Sequence, residues 1–122
     1  MTDRLLTDYI RDILDAIDKA AQFAPGDDFD SFVADSKTIF AVVRALEIIG
    51  EAAKQIPDEI RAKYSDVPWR EMTGMRDKLT HEYFGMKLDT VWKTLKQDLP
   101  ALRPLMAQML ADLAAVQSGD NT

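Results

Sequence analysis

The sequence predicts an all-α fold, an antiparallel up-down bundle of four main helices with short extra helices. Three observations predict it. Apolar residues recur at steps of three and four along long segments. No segment sustains the alternation of a strand. Glycine and proline fall between the periodic segments or at their ends, with only Gly50 and Pro104 inside one. At 122 residues, 47% apolar and 30% charged, the chain has the size and balance of one globular domain. A domain spanning 1–116 and a flexible polar tail over 117–122 are the expected divisions.

The first helix is expected over about 3–24, where Leu6, Tyr9, Ile10, Ile13, Leu14, Ile17 and Ala21 share a face. Thr2 is its candidate N-cap and Pro25-Gly26 its stop. A short turn at Phe29–Val33 leads into a long helix to about residue 55, with Ile39, Val42, Val43, Leu46, Ile49 and Ala53 on one side. Gly50 lies within that helix. An interior glycine costs roughly 1 kcal/mol relative to alanine, so a close approach by another helix backbone is expected there, and Gly50 is a candidate dimer contact.

Pro57-Asp58-Glu59 opens a short helix with acidic residues in its first turn. Ser65 or Asp66 then caps a helix with Pro68 at its first position, running to about Phe84 with a break at Gly74 and a stop at Gly85. The last segment, about 88–116, places Leu88, Val91, Trp92, Leu95, Leu99, Leu102, Leu105, Met106, Met109 and Leu113 on one face. Pro100 is expected to split it in two, with Pro104 in the first turn of the second part or kinking it.

Composition excludes several chemistries. The chain has no cysteine and one histidine, His81, so a disulfide scaffold, a thiol nucleophile and a metal site built on several histidines of one chain are all ruled out. No cofactor or metal is expected. No apolar run approaches the roughly 18 residues of a membrane helix, and no export signal is evident, so a cytoplasmic location without membrane association is expected. The net charge of −6 and pI near 4.7 argue against a protein that coats nucleic acid. Residues 61–96 depart from that mean, with eight basic side chains against five acidic ones. The sole histidine lies in this basic stretch.

Its surroundings, Arg76-Asp77-Lys78-Leu79-Thr80-His81-Glu82-Tyr83-Phe84-Gly85, concentrate groups capable of chemistry. Imidazole exchanges protons near neutrality. Arg76 presents a planar donor fork suited to phosphate. Tyr83 can donate a hydrogen bond or stack on a base. Phosphate binding plus an acid/base group is the minimum for cleaving RNA through its own 2′-hydroxyl, and nothing in the set requires a metal. Arg70 and Lys78 are candidate phosphate contacts. The same residues also suit plain structure: His81 on the last carbonyls of a helix, Arg76 paired with Glu71 or Asp77, and Tyr83 and Phe84 as core aromatics.

On a straight helix Arg76 and His81 stand about 140° apart, whereas Arg76 and Tyr83 nearly eclipse. One regular helix cannot aim all three at a point. Either the helix distorts or a second chain completes the site. Two acid/base groups serve transesterification best, and a two-fold dimer would bring two histidines.

Arg76-x4-His81-x-Tyr83 resembles the R-x4-6-H motif of the HEPN superfamily, in the form found in HepT-like toxins. Leu46-Glu47-Ile48-Ile49-Gly50-Glu51-Ala52-Ala53, Val67-Pro68-Trp69-Arg70, Met75-Arg76-Asp77, His81-Glu82-Tyr83-Phe84-Gly85 and Val91-Trp92 extend the likeness over about residues 5–105. The resemblance implies a homodimeric helical bundle. It implies a metal-independent endoribonuclease with its cleft between protomers, acting as the toxin of a toxin–antitoxin pair. It also implies a minimal nucleotidyltransferase as antitoxin partner. Arg76 and His81 would be catalytic, and Tyr83 would support the site and accept AMP from the partner, crowding the same positive groups with a new anion. The family carries a polar residue, commonly Asn, where this chain has Asp77, which can orient His81 but also repels phosphate. A second reading is a catalytically silent subunit that binds a nucleotide or substrate for its nucleotidyltransferase partner. A third is a helical dimerisation module with a relict motif.

Overall fold

The computed structural model describes residues 4–26, 28–75 and 87–119. The described elements are α1 (Leu6–Phe23), α2 (Phe29–Ala34), α3 (Ser36–Lys54), α4 (Asp58–Lys63), α5 (Trp69–Thr73), α6 (Leu88–Lys93), a π turn (Thr94–Asp98) and α7 (Leu99–Gly119). Among the described residues there is no strand, as the periodicity predicts.

α1 packs against α3 on one side and α7 on the other. The end of α1 sits beside the start of α3, since Phe23 and Thr38 line the same small hollow. Lys96 reaches the carbonyl of Ala24 at 2.9 Å, while Arg103 pairs with Asp18 at 2.7 Å. As the chain advances from the π turn into α7 it moves back along α1, so the two run antiparallel. The third expected main helix is described only through α5 and Met75; the rest of that segment lies outside the described residues.

The apolar stripes meet in one core. Ile10, Ile13, Ile17 and Ala20 of α1 face Ile39, Val42, Leu46, Ile49 and Ala53 of α3, and Leu99, Leu102, Met106 and Met109 of α7 close it. Each of the large side chains contributes about 1.5–3 kcal/mol by leaving water. The expected stripe on α1 needs one correction. Ala21 is exposed and Ala20 is buried, because the helical step from Ile17 to the inward face is three at that point. Gly50 is buried within the single protomer.

The helix ends follow local chemistry. α1 begins at Leu6, where the Asp8 carboxylate accepts the Leu5 N–H at 3.0 Å; Thr2, the expected cap, lies outside the described residues. The Asp28 and Asp35 carboxylates accept the N–H groups of Asp30 and Thr38 and start α2 and α3. Both carboxylates are held below their ordinary pKa, first by the hydroxyls of Ser31 and Thr38 that donate to them. At the other end of α3, Arg61 donates to the carbonyls of Ile56 and Ala53 at 2.9 and 3.0 Å.

Two expectations about prolines change. Pro68 stands just before α5 rather than at its first position, and neither Ser65 nor Asp66 caps it; the Trp69 N–H bonds back to the Val67 carbonyl at 2.8 Å. Pro100 does not split the last segment into separate helices. The five-residue π turn runs straight into α7, with the Leu99 N–H reaching the Thr94 carbonyl. Widening the turn accommodates a proline that has no N–H and whose ring would crowd the carbonyl of Lys96. Pro104 lies inside α7. That helix continues to Gly119, because no breaker intervenes between Pro104 and Gly119.

Candidate active site

The described residues place a cleft of about 500 Å³ at the point where the motif-bearing segment joins the bundle. α3, α5, α6, the π turn and α7 all contribute to it. Its apolar lining includes Leu46, Met72, Met75, Val91, Leu102 and Leu105, and its acidic lining is Asp66, Glu71 and Asp98. Lys87 is the one basic side chain among the described lining residues. Met75 directly precedes Arg76, and Lys87 follows residue 86.

Local packing fixes the approach to this cleft. The Trp69 indole donates to the Tyr64 carbonyl at 3.0 Å, and its ring is buried beside Val67 and Met72 in the core. The Tyr64 hydroxyl donates to Asp112 of α7 at 3.4 Å, and Gln108 donates to the other oxygen of that carboxylate at 2.8 Å. Burial, reinforced by the negative charge of Asp112, raises the Tyr64 hydroxyl above its ordinary pKa. α5 ends at Gly74, the break expected from the sequence, whose N–H bonds to the Arg70 carbonyl at 3.0 Å. A Cβ at Gly74 would stand 3.2 Å from that oxygen, tighter than ordinary contact. A residue without a side chain lets the backbone fold closely over α5 just ahead of Arg76.

Outside the cleft, Trp92 of α6 packs on Phe29 and Phe32 of α2, with ring centroids 5.8 and 5.1 Å apart. Lys96 lies over the Trp92 ring at 4.9 Å while it caps the end of α1. These contacts hold the π turn, which presents Thr94 and Asp98 to the cleft.

Of the residues singled out from the sequence, Arg70 is exposed on α5 and Gly50 is buried in α3. Arg76, Asp77, Lys78, His81 and Tyr83 lie outside the described residues. The rim formed by Asp66, Glu71, Lys87 and Asp98 escaped the sequence reading, since scattered charges between apolar positions look like any solvated face. The nearest signal was Pro100, which marks the irregular turn carrying Thr94 and Asp98. Among the described residues, no three His, Cys, Asp or Glu side chains are grouped to hold a metal ion, and no helix is long and apolar enough to cross a membrane.

An all-α bundle of this size, in a sequence that carries Arg76-x4-His81, fits the class of small helical HEPN-like proteins. The model of the ribonuclease HepT-like family matches residues 13–109, and the chain belongs to that family. A Thermococcus cleftensis protein named "Probable ribonuclease HepT" is 50% identical over 96 residues, covering 79% of this chain and 87% of the relative. A candidate RNase of Methanocaldococcus jannaschii is 40% identical over 113 residues, covering 93% of this chain and 97% of its own. Another from Caldanaerobacter subterraneus is 43% identical over 102 residues, covering 84% and 91%. No solved structure matches the chain.

Proposed function

We propose that the chain is the toxin of a toxin–antitoxin pair, a metal-independent endoribonuclease working as a cytoplasmic homodimer. The observation that carries the proposal is Arg76-x4-His81-x-Tyr83 standing intact in a chain of the HepT-like family. Relatives named as ribonucleases support RNA as the substrate. In this proposal Arg76 holds the scissile phosphate. His81 and its symmetry mate take the 2′-hydroxyl proton and return one to the leaving 5′-oxygen. The O2′–P bond forms as the P–O5′ bond breaks, leaving a cyclic phosphate and a free 5′-hydroxyl. Arg70 and Lys78 are assigned to neighbouring phosphates, Asp77 to restraint of His81, and Gly50 to the dimer contact. Tyr83 supports the site and is the hydroxyl that a minimal nucleotidyltransferase antitoxin would modify with AMP. The net charge of −6 disfavours long RNA away from the basic stretch 61–96 that carries the motif.

The test is expression of the chain alone and as His81→Ala. Growth arrest with RNA fragments that vanish in the variant supports the proposal. Inert protein in both forms, with Tyr83 unmodified by mass spectrometry, favours the second reading, a silent subunit that binds a nucleotide or substrate for its partner. The acidic cleft rim of Asp66, Glu71 and Asp98 is the observation on that side.

A further inference from the structure

We propose that the cleft between α5, the π turn and α7 is a base-recognition pocket that takes one unstacked nucleobase of the RNA, and takes guanine in preference to the others. The proposal rests on the ribonuclease reading and names the specificity of that site. Single-stranded RNA is recognised by splaying out bases, holding their faces on apolar or aromatic surfaces and reading their edges by hydrogen bonds.

The cleft has the parts for both tasks. At about 500 Å³ it falls within the roughly 300–1,000 Å³ typical of small-ligand sites. Met72 and Met75 bring thioethers to its apolar lining, and methionine sulfur makes favourable contacts with aromatic rings while adapting its shape to them. Among the described lining residues, the polar groups are mostly acceptors. Asp66, Glu71 and Asp98 are carboxylates, all exposed at the rim. Thr94 spends its hydroxyl hydrogen on the Thr90 carbonyl at 3.0 Å and so faces the cleft with lone pairs. These carboxylates are not grouped as a metal site.

An acceptor-rich lining selects a donor-rich edge. Guanine offers N1–H and N2–H side by side, matching both oxygens of one carboxylate in the bidentate manner that makes charge-assisted pairs strong. Adenine and cytosine offer one amino group beside an acceptor, and uracil offers one N–H between two carbonyls that a carboxylate repels. The carboxylates disfavour phosphate inside the pocket, and Lys87 is the cation among the described lining residues that can meet it.

The test titrates GMP, AMP, CMP and UMP into the full chain carrying methyl-labelled methionine. GMP is expected to shift the Met72 and Met75 methyl signals and to bind at least about tenfold tighter than UMP, the discrimination of one good bidentate contact. Glu71→Gln, Asp98→Asn or Asp66→Asn, whichever carboxylate is the reader, is expected to reduce the ratio to about threefold or less. Equal binding of the four nucleotides, no shift at either methionine, or a preference untouched by all three variants would overturn the pocket. Cleavage of oligonucleotides holding a single guanine is scored separately. A GMP preference without cleavage of any RNA upholds the pocket and overturns the nuclease reading.

Discussion

Met75 and Lys87 line the same cleft although residues 76–86 separate them in the chain. Both ends of the segment that carries Arg76, His81 and Tyr83 are therefore anchored at one place on the bundle. Met75 is held there by α5 and the Gly74 break, and Lys87 by the start of α6. The contacts that hold the ends of the neighbouring helices involve other residues, which makes them separately testable.

Arg61 is the first. Its two bonds satisfy carbonyls at the end of α3, and its side chain is 24% exposed. Arg61→Met should destabilise the fold by about 1–3 kcal/mol, by leaving the Ile56 carbonyl without its donor while the Ala53 carbonyl keeps the Ile56 N–H. Asp58, fully exposed and 3.7 Å from the guanidinium, should be replaceable by Ala without measurable loss. Urea unfolding of the two variants checks both outcomes.

Tyr64 makes a prediction about pH. Its folded pKa is raised above the ordinary value of 10.0. The folded state therefore holds the proton when the unfolded state has lost it. The stability this contributes is fully present below about pH 10 and is lost as pH rises through the folded value. Tyr64→Phe should show a shallower alkaline loss than the wild type in thermal melts taken from pH 8 to 11.

Asp77 places a carboxylate directly after Arg76 in the chain. If its charge restrains phosphate binding, Asp77→Asn should cleave RNA faster, through a lower KM and a shallower dependence on salt. Steady-state rates at two ionic strengths provide the measurement, and a slower variant would assign Asp77 to orienting His81.

Gly50 is assigned to the dimer contact, yet it is already buried inside one protomer. Gly50→Leu should lower the melting temperature by overpacking, at a cost of about 1–3 kcal/mol, and should give monomers without activity. A folded Gly50→Leu protein that stays dimeric would make the crossing at this glycine internal.

The long helices were legible because their apolar periodicity is strong. The α3 stripe from Ile39 to Ala53 is buried as read, and Pro25-Gly26 and Gly74 end helices as read. One-residue choices were less legible. Ala20 and Ala21 are chemically identical, and only the packed angle of α1 against α3 decides which is buried. Pro100 signalled a disturbance but not its form, since a π turn and a helix break both relieve the missing N–H. The Arg76-x4-His81-x-Tyr83 motif was legible because unusual residue types cluster there in the sequence. The cleft lined by Met75 and Lys87 was not, because Asp66, Glu71, Lys87 and Asp98 come together only through the packing of α5 against α3 and the turn before α7.

The central claim is that Arg76 and His81 cleave RNA without a metal. It is tested most directly by incubating purified wild-type and His81→Ala protein with RNA in excess EDTA. The account predicts undiminished cleavage by the wild type and loss of at least about a hundredfold in the variant, the usual contribution of a general acid–base group. Wild-type cleavage abolished by EDTA, or cleavage equal in the two proteins, would contradict it.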